Sequence, residues 1–259
     1  MSQRRVSHSQ SRPSASRQVI EDDEEDLSFT LPSSSQVQRG MDRLTSAEVD
    51  RKVAEVVQFI LIKDQKKVPI KRADIIKNVI KENRNIYPEI MKKVNMTFEK
   101  VFGLKLVEID VKNHAFILVN NLEQVTDRLA SMNPAHPKTG LLFVILSVIF
   151  MKGGAVKEAV VWNTLKKLRV DPGERHEEFG DVKKLLTDEF VRQKYLEYAR
   201  IPHTDPPEHE FRWGLRAESE VSKTRLLEFV AQLHEKEPQN WPKQYKEATT
   251  SDARSSQAS

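Results

Sequence analysis

The clearest fold signal lies in residues 104–118, which read LKLVEIDVKNHAFIL. Apolar residues recur here with a period near two, and the polar pair Lys112 and Asn113 interrupts them. A period of two is typical of strands with one buried face, and asparagine is favoured in the tight turn between paired strands. The stretch therefore predicts a β-hairpin.

Upstream of this hairpin, apolar residues recur at helical spacing in successive segments. Thr45 and Glu48 fit a capping box that starts the first helix, which we expect to run to about Lys63. Further helices are predicted around residues 75–80 and from about residue 88 to Gly103, a residue that suits a helix C-terminus. Helices followed by a hairpin are the layout of a winged helix, which we place at residues 45–122.

The same layout returns further along the chain. Residues 123–138 are polar and contain Asn-Pro and His-Pro pairs, which indicate a linker. A nearly all-apolar helix over residues 141–152 follows, then further helices, and residues 195–201 and 210–213 indicate a second hairpin. Residues 139–248 therefore predict a second winged helix with C-terminal helices. The fold class is mostly α with small β-hairpins, arranged as a tandem winged helix.

The two ends of the chain are predicted to be disordered tails. Residues 1–44 are rich in serine and then acidic, and residues 249–259 are polar, so neither segment can bury much apolar surface. The N-terminal segment is either a solvated tail or an arm that is phosphorylated or contacts a basic partner.

Within the second winged helix, Asp181 is expected to cap a helix, and one continuous helix is expected over about residues 219–235.

Composition excludes several classes of function. The chain has 259 residues, of which 42 are basic, 38 are acidic and none is cysteine. Disulfides, thiolate nucleophiles and cysteine-ligated metals are therefore excluded. The apolar run at residues 141–151 is shorter than the ~20 residues that span a bilayer, and the N-terminus lacks the apolar core of a secretory signal. We expect no membrane contact and a location in the cytosol or nucleus.

Catalytic motifs are not recognisable in the sequence. There is no H-E-x-x-H, no P-loop, no G-x-G-x-x-G and no G-x-S-x-G. His203 and His209 flank the tip of the second hairpin, where polar surface residues are the more economical interpretation than a metal site. We therefore expect no enzyme activity, no metal and no cofactor.

Basic residues favour nucleic-acid contact, but two regions compete for it. Residues 63–112 hold 13 basic and seven acidic residues, which suggests either a DNA-binding face or a solvated one. The second winged helix has basic residues on or beside its third helix and hairpin, offset by nearby acids. These residues are Lys183, Lys184, Arg192, Lys194 and Arg200. No base-reading pattern stands out, so contacts to the DNA backbone are expected.

The first helix is apolar almost all round at Phe59, Ile60, Leu61 and Ile62. A single domain core seldom requires this, so part of the helix either binds a partner protein or is buried against the second winged helix.

Several ordered motifs resemble the MAGE homology domain family. They are YLEY at 195–198, IP at 201–202, DP at 205–206, EFRWGLRA at 210–217, GLL at 140–142 and Trp162 with its Leu-rich helix. The resemblance covers residues 47–248. Within the family, three segments look most like the MAGE-type subunit of the SMC five–six DNA-repair complex. They are FILIKDQKK at 59–67, PIKRADI at 69–75 and FVRQKYLEY at 190–198.

The resemblance implies particular partners. They are a RING-type ubiquitin ligase subunit (non-SMC element one), a kleisin subunit (non-SMC element four) and DNA, in a nuclear, chromosome-associated complex. The family's RING-contacting di-leucine falls on Ile60 and Leu61, beside Phe59. Its DNA-contacting region falls on the five basic residues of the second winged helix named above, with Ala199 in place of a polar neighbour. For the kleisin, the groove between the two domains is a candidate site.

Three other functions compete with this interpretation. A MAGE-type adaptor for another RING ligase would bind neither DNA nor kleisin. A stand-alone transcription factor would discriminate bases, with each wrong base pair costing about 1–3 kcal/mol. An enzyme would lose activity when one acid or histidine is replaced while the fold stays intact.

Overall fold

The computed structural model describes residues 32–120 and 137–257, with side chains up to Ser251. Most of the predicted linker at 123–138 and residues 1–31 of the predicted N-terminal tail lie outside the described residues. The described residues belong to one unit, Leu31–Ser259, which includes both winged helices. None of the described helices is long and apolar enough to cross a membrane.

The first winged helix follows the predicted order of helices and hairpin. Its elements are α1 (Ser34–Met41), α2 (Ser46–Asp64), β1 (Ile70–Lys71), α3 (Arg72–Ile75), α4 (Tyr87–Thr97), β2 (Leu104–Asp110) and β3 (Ala115–Asn120). The predicted capping box is confirmed, because Thr45 accepts the Glu48 N–H and Glu48 accepts the Thr45 N–H. Both α3 and α4 continue as π-helical turns, and the second turn ends at Gly103 with φ of 62°. Only glycine adopts that left-handed conformation at little cost.

A short strand that the sequence did not reveal completes the first sheet. β1 has two residues and pairs antiparallel with β3, which gives the sheet order β1-β3-β2. The hairpin register places Leu106 opposite Leu118, with an irregularity between Glu108 and Asp110. A two-residue strand carries no period, so alternation could not predict it.

Helix α1 contradicts part of the predicted N-terminal tail. Ser33 and Gln36 form a capping box at its start, and Gly40 is buried against the segment that follows α3. The Asn85 side-chain amide donates to the Gln36 carbonyl at 3.4 Å. Tertiary contact therefore orders residues whose composition resembles a solvated tail.

The second winged helix repeats this layout and adds C-terminal helices. Its elements are α5 (Pro137–Met151), β4 (Ala155–Lys157), α6 (Glu158–Lys167), β5 (Arg175–His176), β6 (Gly180–Asp181), α7 (Val182–Lys184), α8 (Phe190–Arg192), β7 (Leu196–Arg200), β8 (His209–Trp213), α9 (Leu215–Glu220), α10 (Lys223–Leu233) and α11 (Pro242–Gln257). A π-helical turn joins α7 to α8, so together they form the third helix of this domain. The sheet order is β4-β8-β7, again with a short strand that was not predicted.

Two predictions for the C-terminal part are wrong. The helix expected over 219–235 is divided between two helices, because Val221 is extended and ends α9, and Ser222 then caps α10 by accepting the Arg225 N–H. The tail expected from residue 249 lies within α11, where Ala248 is buried and the Gln244 amide donates to the Met151 carbonyl at 3.1 Å. Packing against α10, together with this hydrogen bond to the end of α5, holds α11 in place despite its polar composition.

Candidate functional site

The first winged helix carries an open apolar groove between α2 and α4. The groove has a volume of about 850 Å³. Leu61 and Ile62 line it from α2, and Met96, Val101 and Phe102 line it from α4 and the turn that follows. Ile62 is 56% exposed and Val101 is 70% exposed. Monomeric proteins rarely leave adjacent large apolar side chains in water unless a partner covers them.

The structure separates the three residues predicted to contact a RING partner. Ile60 is fully buried in the core of the first domain, so its side chain offers no surface to a partner, and that prediction is corrected. Phe59 is half-buried outside the groove, with the Lys63 ammonium 5.5 Å from its ring centroid. Leu61 alone of the three lines the groove.

Ile62 and the residues of the opposite wall are not among the three residues predicted to contact a RING partner. A helix that is apolar all round has no preferred buried face, so the sequence could not show which of four adjacent apolar residues points outward. Val101 and Phe102 stand directly before Gly103, for which the sequence predicts only a helix end. An apolar pair in the last turn before a C-terminal glycine was the available signal.

The third helix of the second winged helix exposes cations. Asp181 caps it by accepting the Lys184 N–H at 2.8 Å, which confirms the predicted cap. Val182, Leu185, Leu186 and Phe190 are buried beneath it. The five predicted DNA-contacting side chains are all exposed, and none forms an ion pair with another described residue. They are Lys183, Lys184, Arg192, Lys194 and Arg200.

Of the four acids near these cations, Glu189 alone is paired with a cation of another described element, the Lys138 ammonium at 3.1 Å. Asp181, which caps the helix, and the exposed Asp188 and Glu197 keep their negative charges beside the five cations.

In the first winged helix, the raw charge count overstates the free basic surface. Arg72 is buried, and Lys93 pairs with Asp50 at 3.5 Å. Several of its lysines are likewise neutralised locally.

A buried arginine ties the two winged helices together. Arg216, at 0% exposure, donates to the Glu220 carboxylate at 2.8 Å, to the Gln193 carbonyl at 3.0 Å and to the Lys67 carbonyl at 3.1 Å. Lys67 belongs to the turn after α2, whereas Gln193 follows the third helix of the second domain. The Tyr195 hydroxyl donates to the second oxygen of Glu220 at 2.6 Å. Burial raises the pKa of the Tyr195 phenol, and the Glu220 carboxylate acts in the same direction.

A second polar cluster holds the hairpin of the second winged helix against α6. Glu158 accepts the Tyr198 hydroxyl and the Trp162 indole N–H, both at 2.8 Å. Burial raises the pKa of the Tyr198 phenol to about 12, and the hydrogen bond to Glu158 adds to the effect. His209 stacks on Tyr198 with ring centroids 4.8 Å apart. His203 is exposed, and the described residues contain no group of three metal-binding side chains.

A family model for the MAGE homology domain matches residues 56–224. The chain therefore belongs to the MAGE homology domain family. It is 50% identical over 202 residues to the human protein named non-structural maintenance of chromosomes element 3 homolog, which covers 78% of this chain and 66% of the human one. It is also similar to a chain of a solved Nse1-Nse3-Nse4 complex, with 54% identity, a TM-score of 0.73 and coverage of 80% of this chain and 100% of the other. These likenesses confirm the family and the fold class predicted from the sequence.

Human melanoma-associated antigen D2 is 49% identical over 198 residues, which are 76% of this chain but 33% of the antigen. The chain thus covers a larger share of the human element 3 homolog than of this antigen.

Proposed function

We propose that this chain is a non-catalytic subunit of an SMC five–six complex. It binds a RING-type ubiquitin ligase subunit, stimulates that ligase, binds a kleisin subunit and contacts DNA without sequence preference. It acts in the nucleus, on chromosomes, in recombination repair and chromosome maintenance. One observation carries the proposal. Helix α4, the third helix of the winged-helix layout in the first domain, borders an apolar groove, whereas its counterpart α7–α8 in the second domain exposes cations.

The groove supports the RING-binding part of the proposal. Its two walls present apolar side chains, and the Asp50–Lys93 ion pair lies at its edge. An apolar centre with a polar rim is the usual anatomy of a protein interface. The likeness to a chain of an Nse1-Nse3-Nse4 complex supports Nse1-type and Nse4-type partners.

Replacing Ile62 and Met96 by aspartate tests the RING site. We expect each change to weaken the RING partner by at least about 30-fold, because hot-spot residues contribute 2 kcal/mol or more. Leu168→Asp is the matched control, since Leu168 is 52% exposed but lies in the second domain. Ile60→Ala is unsuitable, because a buried isoleucine cut to alanine costs about 2–5 kcal/mol of folding free energy. Equal binding by Ile62→Asp and the control would remove the groove from the proposal.

The exposed cations support the DNA-binding part. Each lysine or arginine that neutralises a phosphate releases counterions, and this gives affinity without sequence preference. The third helix of a winged helix is the element that enters a groove of the duplex. The first domain is less suited to this role, because the corresponding helix lines the apolar groove.

Reversing Lys183, Lys184 and Arg192 to glutamate tests the DNA site. The slope of log affinity against log salt should flatten by about 2.7, since each duplex phosphate contact contributes about 0.9. Reversing Lys236, Lys243 and Lys246 instead provides the control, because it changes the net charge by the same amount. These exposed lysines lie in the turn after α10 and in α11, outside the third helix. If both triple variants bind alike, the third helix is not the DNA site.

A MAGE-type adaptor for a different RING ligase is the alternative. The 49% identity to melanoma-associated antigen D2 nearly equals the 50% identity to the human element 3 homolog, so identity over the winged helices does not separate the two functions. Co-purification with kleisin and salt-dependent DNA binding distinguish the adaptor from the subunit of an SMC five–six complex. The adaptor binds its RING partner but neither co-purifies with kleisin nor binds DNA.

A further inference from the structure

We propose that the DNA track of this chain continues from the second winged helix across the domain junction onto Lys66 and Lys112 of the first. The track would then include a junction strip formed by Lys66, Lys112, Arg192 and Lys194. This inference rests on the proposed DNA contact of the second winged helix and extends it to residues of the other domain.

The buried Arg216 brings the two ends of the strip together. Its guanidinium holds the carbonyls of Lys67 and Gln193 at 3.1 and 3.0 Å, and the Arg216 N–H donates to the Lys194 carbonyl at 2.9 Å. The turn that carries Lys66 and the turn that carries Lys194 therefore share one hydrogen-bonding group. Because that group is wholly buried, the relative position of the two turns is fixed by the core of the molecule.

The hairpin tip of the first domain lies at the same junction. Helix α9, which contains Arg216, packs against both β2 and β3. At the tip, Asp110 accepts the backbone N–H groups of Lys112 and Asn113 at 3.0 and 3.2 Å. The Lys194 ammonium is close enough to help lower the pKa of Asp110, after the larger effect of the Asn113 hydrogen bond. Lys112 and Lys194 thus approach from opposite domains.

Two of the three carboxylates at the junction are neutralised by cations outside the strip, because Asp64 pairs with the Lys67 ammonium and Glu220 with Arg216. Asp110 keeps its negative charge while it caps its own turn, so the strip carries four cations against one acid. By contrast, Lys66, Lys112, Arg192 and Lys194 are exposed and form no ion pair with another described residue. Four free cations from two rigidly joined domains suit a run of phosphates on one duplex.

The test reverses the part of the strip that lies in the first domain. The intact chain with Lys66→Glu and Lys112→Glu is compared with wild type in duplex binding between 50 and 200 mM salt, with folding checked by circular dichroism. The salt slope should flatten by about 1.8 for two lost phosphate contacts, so the affinity ratio of wild type to variant should shrink by about 12-fold over this range. Lys66→Arg with Lys112→Arg should retain wild-type binding.

Matched variants separate the possible outcomes. Lys236→Glu with Lys243→Glu changes net charge equally, and this variant should leave the slope unchanged. If the Lys66 and Lys112 reversals behave like that control while the Lys183, Lys184 and Arg192 reversals abolish binding, the extension is overturned and the proposed function stands. If wild type itself does not bind duplex DNA at low salt, both are overturned.

Discussion

Replacing Arg216 by methionine should uncouple the two winged helices. Methionine keeps much of the aliphatic volume of arginine but removes the guanidinium that joins Lys67 of the first domain to Gln193 of the second. Glu220 then remains beneath the surface without its cationic partner. Its side chain is 21% exposed, so water can replace only part of the lost interaction.

The expected cost follows from these contacts. Breaking a buried ion pair by removing one partner costs about 3–5 kcal/mol, largely because the remaining charge is stranded. Glu220 keeps the hydrogen bond from Tyr195, which places the cost at the lower end. We therefore expect Arg216→Met to reduce the free energy of unfolding by about 3 kcal/mol. Glu220→Gln removes the stranded charge, so adding it to Arg216→Met should cost less than the sum of the single changes.

Tryptophan fluorescence makes the uncoupling visible. All three tryptophans, Trp162, Trp213 and Trp241, lie in the second winged helix, whereas circular dichroism reports helices of both domains. In wild type, the urea transitions of the two signals should coincide, and in Arg216→Met they should separate. A loss below about 1 kcal/mol with coincident transitions would refute the argument that Arg216 joins the domains.

Further predictions concern backbone packing and pH. Gly214→Ala should lower the free energy of unfolding by about 2–3 kcal/mol in urea melts, because a Cβ there would meet the Lys194 carbonyl. Gly140→Ala, in open space within α5, should instead be neutral or gain up to about 1 kcal/mol. The folded pKa of Tyr198 is raised from 10.0 to about 12, so its contribution to stability is complete below pH 10 and is lost as pH rises towards 12. The pKa of Tyr195 is raised as well, so phenolate absorbance should show at least two late-titrating tyrosines in wild type and one fewer in Tyr198→Phe. In Glu158→Gln the Tyr198 phenol should titrate earlier; no change in either variant would contradict this assignment.

Local chemistry was sufficient to predict much of the fold. The capping box at Thr45, the helix end at Gly103 and the cap at Asp181 each depend on one residue and its own backbone. The hairpins follow from a period of two. These features need no information from distant parts of the chain, and the structure confirms them.

The features that could not be predicted depend on tertiary contact. Helix α1 is polar and rests on Asn85, far along the chain. The first strand of each sheet is too short to show a period. The choice between Ile60 and Ile62 as the outward residue depends on what α2 packs against. Sequence similarity predicts a RING contact near these residues, whereas burial shows which of their side chains are exposed.

The two winged helices show why layout alone does not assign function. Both place a helix with a π-helical turn before a hairpin, yet the exposed side of this helix carries Met96, Val101 and Phe102 in the first domain and Lys183, Lys184 and Arg192 in the second. The buried sides are apolar in both, so the core positions specify the fold and the outward positions are left to specify the partner. A charge count over whole domains mixes these positions with residues such as Arg72, which is buried. The informative quantity is therefore the charge that stays exposed and unpaired on the third helix, and by this measure the second winged helix presents the more basic surface.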